Sequence, residues 1–229
     1  MRLTHDTVSE TGLQLFAKTC ISISHETKNA LAIMKENAGL VEDIYLIADK
    51  GVPLDTKRIR SIATRIMDQI GRADSIIDTL NKFAHSMDEI KQRIDIRNLL
   101  ALVASLSERL FSLRGVTLTV KTDVKPVKIT TNPFVLQNLV WLCLNFAMDV
   151  TGEAKAVSIA AETWGNGGRI RFTGLKELSG IPAGSFPTKK ENALTEVLCA
   201  EITTDVEHEE LLLILPDGIA KGFAKNRST

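Results

Sequence analysis

The spacing of apolar residues over the first part of the chain constrains its fold most. Apolar or small residues recur in steps of three and four, or multiples of these, at Leu13, Phe16, Cys20, Ile23, Ala30, Met34, Val41 and Ile44, and again at Ile59, Ile62, Ile66, Ala73, Ile77, Leu80, Phe83 and Met87. This spacing gives each of two helices an apolar stripe. A turn at Lys50–Asp55 separates the two segments, and Asp55 is a suitable N-cap for the second. The pattern predicts two helices of roughly 35 residues, each about 50 Å long.

Two long helices joined by a short loop form a hairpin that leaves one apolar face open. Pairing with a second copy into an antiparallel four-helix bundle would cover that face. We therefore expect residues 1–90 to be a helical-hairpin dimerisation domain and the protein to be a homodimer. The alternative is that the hairpin packs on the C-terminal part of its own chain.

From about Asp95 the pattern changes to mixed α/β, which predicts a second domain over residues 91–229. Helical spacing covers residues 98–113 and, after Asn132-Pro133, residues to about Asp149. Residues 116–122 and 127–130 read as strands. Residues 156–163 and 169–173 predict a hairpin whose turn signal is Asn166-Gly167. A helix over 192–202 and a strand over 211–215 complete the expected α/β sandwich.

Composition excludes several classes of protein. Lys plus Arg number 28 and Asp plus Glu number 28, so the net charge is 28 − 28 = 0, which argues against a nucleic-acid partner. The cysteines Cys20, Cys143 and Cys199 form no CxxC pair, which favours reduced thiols and no metal site. The longest apolar run, 134–150, is interrupted by polar residues, and no signal peptide is visible. We expect a cytoplasmic protein with no membrane segment.

The residues that could carry chemistry lie at Ser24–Asn29, in the middle of the first helix. Glu26 follows His25 directly, and a carboxylate can accept a hydrogen bond from one ring nitrogen and leave the other as a nucleophile. Lys28 and Asn29 lie three and four residues after His25, so they share its face and could meet an anion there. The alternative is a solvated helix surface that happens to hold one histidine.

At this position the sequence resembles the two-component histidine kinases. Ser24–Asn29 is similar to their phospho-acceptor box, which implies that His25 is the phosphorylated residue and that Glu26 is the acid/base carboxylate. Asn29 would match the polar residue one turn further on. The resemblance continues through Leu80–Ala84, Ile94–Lys121 and Thr131–Asn145, which look like the end of the second helix, the start of the ATP-binding domain and its N box.

The departures from this family concentrate in the nucleotide site. Asn145 stands where the family's asparagine binds magnesium, but Phe146–Asp149 fit the pattern loosely. In place of the family's Asp-x-Gly-x-Gly box, the chain has Lys176–Pro182, of which only Gly180 and the two residues after it remain. Lysine removes the acceptor that the adenine amino group needs. The region of the second glycine box, 191–195, has no glycine, and residues 183–190 are too few for an ATP lid.

An intact acceptor box beside a degenerate ATP-binding domain resembles the dimeric histidine phosphotransferases. The resemblance implies that His25 relays a phosphoryl group between aspartates of response-regulator receiver domains, with an upstream hybrid histidine kinase as a further partner. Glu26 would fix the histidine tautomer, Lys28 would offset phosphoryl charge and Asn29 would orient the partner's oxygens. The receiver would supply Mg²⁺, so no cofactor is expected in this chain, only a vestigial site around Asn145 and Gly180.

Two other functions remain open. One is a divergent ATP-dependent autokinase that still uses Asn145, and the other is a non-catalytic dimeric adaptor that docks receivers or kinases.

Overall fold

The computed structural model describes residues 2–121, 125–182 and 184–218. The chain divides into two compact units. One is formed by residues 19–81, and the other combines the N-terminal residues up to 18 with those from 82 onward.

The predicted helical hairpin is confirmed, although its helices differ in length from the expected 35 residues. Helix α1 (Arg2–Ala48) has 47 residues and helix α2 (Thr56–His85) has 30. Asp55 caps α2 as predicted, because its Oδ1 accepts a hydrogen bond of 2.9 Å from the backbone N–H of Arg58. In the unit formed by residues 19–81, the buried positions recur every seven residues on α1, at Ile23, Ala30, Asn37 and Ile44, and Ile62 and Ile76 of α2 are buried as well. The expected pairing of two hairpins into a bundle stays a prediction.

The second unit contains the predicted α/β domain. Its elements after α2 are β1 (Gln92–Asp95), α3 (Ile96–Arg114), β2 (Thr117–Lys121), β3 (Lys128–Thr131), α4 (Pro133–Asp149), β4 (Ala156–Trp164), β5 (Gly167–Thr173), α5 (Lys189–Leu198), β6 (Glu201–Asp205) and β7 (Glu210–Leu215). Five strands form one sheet in the order β2-β4-β5-β7-β6, in which β2 and β4 are parallel and the other pairs antiparallel. Strands β1 and β3 form a separate antiparallel pair.

The core of this domain lies between the five-stranded sheet and its helices. Alternate residues of β4, β5 and β7 are buried, among them Ile159, Phe172 and Leu213. Helix α3 packs against β2 and β4, and α4 packs against α3 and α5. Asn132 caps α4 with a bond of 3.0 Å from the N–H of Val135, and Pro133 occupies the first turn, as the sequence predicts.

The region after residue 188 corrects the expected helix over 192–202. Helix α5 begins earlier, because Thr188 and Glu191 form a capping box. It ends earlier, because Cys199 adopts a left-handed conformation with φ of 53°. Residues 201–205 then pair with β7 as strand β6, which the sequence did not reveal.

The turn between β4 and β5 is shifted by one residue from the predicted Asn166-Gly167. Trp164 pairs with Gly167, so Gly165 and Asn166 are the turn residues. Gly165 has a φ of +56°, a conformation that glycine adopts without steric cost. Gly167 is required for another reason, since a Cβ there would lie 2.0 Å from the carbonyl oxygen of Leu215.

Candidate functional site

Helix α1 presents the predicted acceptor to solvent. Ile23 and Ala30 are buried in the hairpin unit, whereas Ser24, His25, Lys28 and Asn29 are exposed on the outer side of the same helix. His25 and Lys28 line a surface depression of about 240 Å³ together with Cys20, Ile21 and Ser24. The helical spacing thus brings an imidazole and an ammonium group to one accessible surface, where an anion could meet both.

The carboxylate of Glu26 points elsewhere. Glu26 is half-buried, and its Oε1 accepts a hydrogen bond of 3.2 Å from the hydroxyl of Ser22. Within the described part of the chain, the ring of His25 has no hydrogen-bond partner. The expected role of Glu26 in fixing the histidine tautomer therefore stays a prediction, as does the role of Asn29, which does not line the depression.

The residues expected to form a vestigial nucleotide site make contacts within the chain. Asn145 turns back on its own helix and donates from Nδ2 to the carbonyl of Trp141 at 2.7 Å. Its neighbour Phe146 stacks on Phe186, with ring centroids 3.8 Å apart and an angle of 11° between the rings. The loop that precedes α5 is therefore joined to α4 by two aromatic rings beside the position where the family's asparagine would hold a metal.

At the N-terminus of α5, hydrogen bonds within the chain use the groups that could otherwise bind a ligand. The carboxylate of Glu191 accepts a hydrogen bond of 2.7 Å from the backbone N–H of Thr188 and another from its hydroxyl. The Thr188 hydroxyl oxygen accepts in turn from the N–H of Lys190 at 3.2 Å. A helix N-terminus can bind phosphate through its free N–H groups and positive end. Here a buried carboxylate of the chain already lies at that end, so a phosphate would meet a negative charge.

The structure also describes the other residues singled out at the expected nucleotide motifs. Lys176 is exposed, and Leu178 is buried in the domain core. No atom of the described residues lies within 4 Å of the position where Gly180 would carry a Cβ, so the space beside this glycine is open. The sequence predicts that segment 183–190 is too short for an ATP lid, and Ala183 of this segment lies outside the described residues.

Sequence reasoning missed the Phe146–Phe186 contact. Forty residues separate these two rings, and no periodic pattern links them. The one available signal was the poor fit of residues 146–149 to the N box, which marks α4 as altered at this point.

The cysteines and possible metal ligands offer no second site in the described ranges. The three cysteines are free, and burial, with the charge of Glu191, raises the pKa of the Cys143 thiol so that it stays protonated. Among the described residues, no three His, Cys, Asp or Glu side chains lie close enough together to hold a metal ion. None of the helices in these ranges has the length and apolarity to cross a bilayer.

Solved structures that are similar to this chain include histidine kinases and a phosphotransferase. The histidine kinase AdeS from Acinetobacter baumannii is 10% identical, covers 85% of this chain and 98% of its own, and gives a TM-score of 0.46. A bacterial phosphotransferase is 14% identical, with 88% and 95% coverage and a TM-score of 0.42. The kinase ThkA, solved in complex with the response regulator TrrA, is 15% identical, with 90% and 63% coverage and a TM-score of 0.44.

No family model matches the sequence, and a search of curated proteins finds no significant match. At these identities the structural similarities concern the fold, and with TM-scores below 0.5 they carry no argument about activity.

Proposed function

We propose that this protein relays a phosphoryl group between receiver-domain aspartates through His25, in the manner of a histidine phosphotransferase. One observation carries the proposal: an exposed histidine on a helical hairpin accompanies the Phe146–Phe186 stack and the Glu191 carboxylate at the start of α5, in the region where the sequence departs from the nucleotide motifs. These contacts support a chain that accepts a phosphoryl group from another protein rather than from ATP.

The chemistry is an in-line displacement at phosphorus. A neutral ring nitrogen of His25 attacks the phosphoaspartate of the first receiver, so the P–N bond forms as the P–O bond breaks and the aspartate carboxylate leaves. The second receiver's aspartate then reverses the step and regenerates the neutral imidazole. Such transfer depends mainly on positioning and charge stabilisation, and the receiver would contribute Mg²⁺ for its own aspartate.

The neighbours of His25 would assist in different ways. Lys28 lies beside His25 in the same depression and would offset part of the phosphoryl charge. Glu26 would orient the imidazole after its side chain leaves Ser22, and Asn29, on the exposed face one turn on, would orient oxygens of the receiver.

A second apolar stripe on the hairpin supports the homodimer. It consists of residues at seven-residue intervals beside the buried seam, and its large members are 40–55% exposed: Leu31 and Tyr45 on α1, and Ile70 and Ile77 on α2. A stripe of this kind along two helices is the surface that a second hairpin covers in a four-helix bundle.

Two labelling reactions test this function. The protein is incubated with labelled ATP and, separately, with a receiver that carries labelled phosphoaspartate. We expect acid-labile label from the receiver only, and its loss in His25→Ala. His85→Ala is the matched control, because His85 is also exposed, lies on α2 and pairs with Asp88 at 2.8 Å.

Each other result contradicts the proposal. Label from ATP alone would indicate an autokinase, and retained label in His25→Ala would identify another acceptor. Absence of label from a panel of receivers would favour the non-catalytic adaptor.

A further inference from the structure

The first turns of α1 pack against the α/β domain, although the chain reaches that domain only after α2. Gly12 lies so close to Phe134 of α4 that a Cβ at residue 12 would be 2.9 Å from the ring atom Cε1. Phe83, at the end of α2, is fully buried between Phe16 and Phe134, with ring centroids 6.3 and 5.9 Å away. The close approach and the three rings form one continuous contact.

Polar contacts extend this contact on both sides. Lys18 Nζ lies 4.7 Å from the ring centroid of Trp141, two turns along α4 from Phe134. Lys190 on α5 donates to Gln14 at 3.1 Å, and Thr4 donates to Glu196 at 3.1 Å. At the end of α2, Ser86 donates to Gln137 of α4 at 3.2 Å.

The sequence of α4 explains why this cover is needed. Twelve of its 17 residues are buried, and they lie on every side of the helix. A helix that is buried all round needs a partner on each side. Helices α3 and α5 pack against two sides, and the start of α1 with the end of α2 supplies the cover over Phe134 and Trp141.

We propose that residues 4–18 of α1, together with residues 82–86, act as a fixed clamp on α4. The clamp joins α4 to the first turns of α1 and to the end of α2, whereas the covalent connection between α2 and the α/β domain is only the short segment 87–91. Separation of α4 from these two helix ends would require the aromatic cluster and the Gly12 contact to break. This device does not depend on the proposed phosphoryl relay.

Hydrogen exchange on the full-length wild-type protein gives the first test. The N-terminal turns of a free helix fray and exchange fast. We expect amides of residues 8–18 to exchange as slowly as those of α4, within about tenfold, because the two open together. Exchange of residues 8–18 more than about a hundredfold faster than that of α4 would overturn the proposal.

A matched pair of substitutions gives the second test. Gly12→Leu places a side chain into Phe134, whereas Gly39→Leu meets no atom within 4 Å of its Cβ. Both are made in a Trp164→Phe background, which leaves Trp141 as the one tryptophan, since the chain has two. We expect Gly12→Leu to increase acrylamide quenching of Trp141 and to speed exchange in α4, and Gly39→Leu to leave both unchanged.

Equal quenching and exchange in the two variants would overturn the clamp. If circular dichroism shows that Gly12→Leu is unfolded, the exchange comparison on the wild-type protein decides the question by itself.

Discussion

At the scale of single residues, position on a helix decides what a side chain can do. His25 comes two residues after the buried Ile23, a rotation of about 200° that turns it away from the seam. Asn145 has the residue type of a magnesium ligand, yet its amide bonds to the carbonyl of Trp141. The first placement follows from the helical period. The hydrogen bond of Asn145 is made within α4, and the residue type alone does not predict it.

Asp95 is a residue whose charge stabilises the fold. Its carboxylate caps α3, accepts from Arg97 side-chain nitrogens at 2.7–3.2 Å and accepts from the N–H of Val127 at 3.3 Å. The hydrogen bonds from the Arg97 guanidinium lower the pKa of this carboxyl, together with backbone N–H bonds, although burial opposes them.

We therefore expect Asp95→Ala to lower the free energy of unfolding by about 1–2 kcal/mol at pH 7. The pKa of Asp95 in the folded state lies below the ordinary 3.8. The charge therefore contributes its full stabilisation at pH values well above 3.8, and this stabilisation is lost as the pH falls through the folded-state pKa. Urea titrations at pH 7 and pH 3 measure the free energy of unfolding. For the charge alone the comparison is with Asp95→Asn, and the difference in free energy of unfolding between wild type and this variant should be smaller at pH 3. A gap that stays constant would contradict the assignment.

At the scale of elements, local signals predict that a helix or strand exists, and cap geometry fixes where it ends. Helix α5 illustrates this: apolar spacing indicated a helix, but Thr188, Glu191 and Cys199 set its limits. The same holds for the hairpin of β4 and β5, which the sequence predicted, while the turn residues are Gly165 and Asn166 instead of Asn166 and Gly167. Register follows from cross-strand pairing, and here the pairing of Trp164 with Gly167 decides it.

The corrected turn makes a prediction about its glycine and its asparagine. Gly165→Ala should lower the free energy of unfolding by about 1 kcal/mol, because alanine is strained at a positive φ. Asn166→Ala is the control and should change it by less than about 0.5 kcal/mol. Thermal or urea unfolding measures both. A larger loss of unfolding free energy in Asn166→Ala than in Gly165→Ala would contradict the assignment of Gly165 to the strained turn position.

At the scale of the whole molecule, the stripe of exposed apolar residues on the hairpin unit calls for a partner surface. Ile70→Glu places a charge in the stripe, and we expect it to convert the homodimer into a monomer at about 10 µM, because burying an unpaired carboxylate is costly. Leu46→Glu is the matched control. Leu46 is 60% exposed, and it lies about 100° around α1 from the stripe residue Tyr45.

Light scattering of wild type and both variants measures the oligomeric state. A monomeric wild type, or dimers in all three samples, would contradict the proposed bundle.

The sequence alone determined the helical hairpin, the α/β domain and the exposure of His25, because these depend on periods of 3.6 and 2 residues and on local caps such as Asp55 and Asn132. It also marked the nucleotide boxes as altered. Only the tertiary structure showed the contacts between distant residues: the Phe146–Phe186 stack and the packing of α1 on α4. These contacts join residues far apart in the chain, and no local pattern encodes which distant side chain will fill a given space.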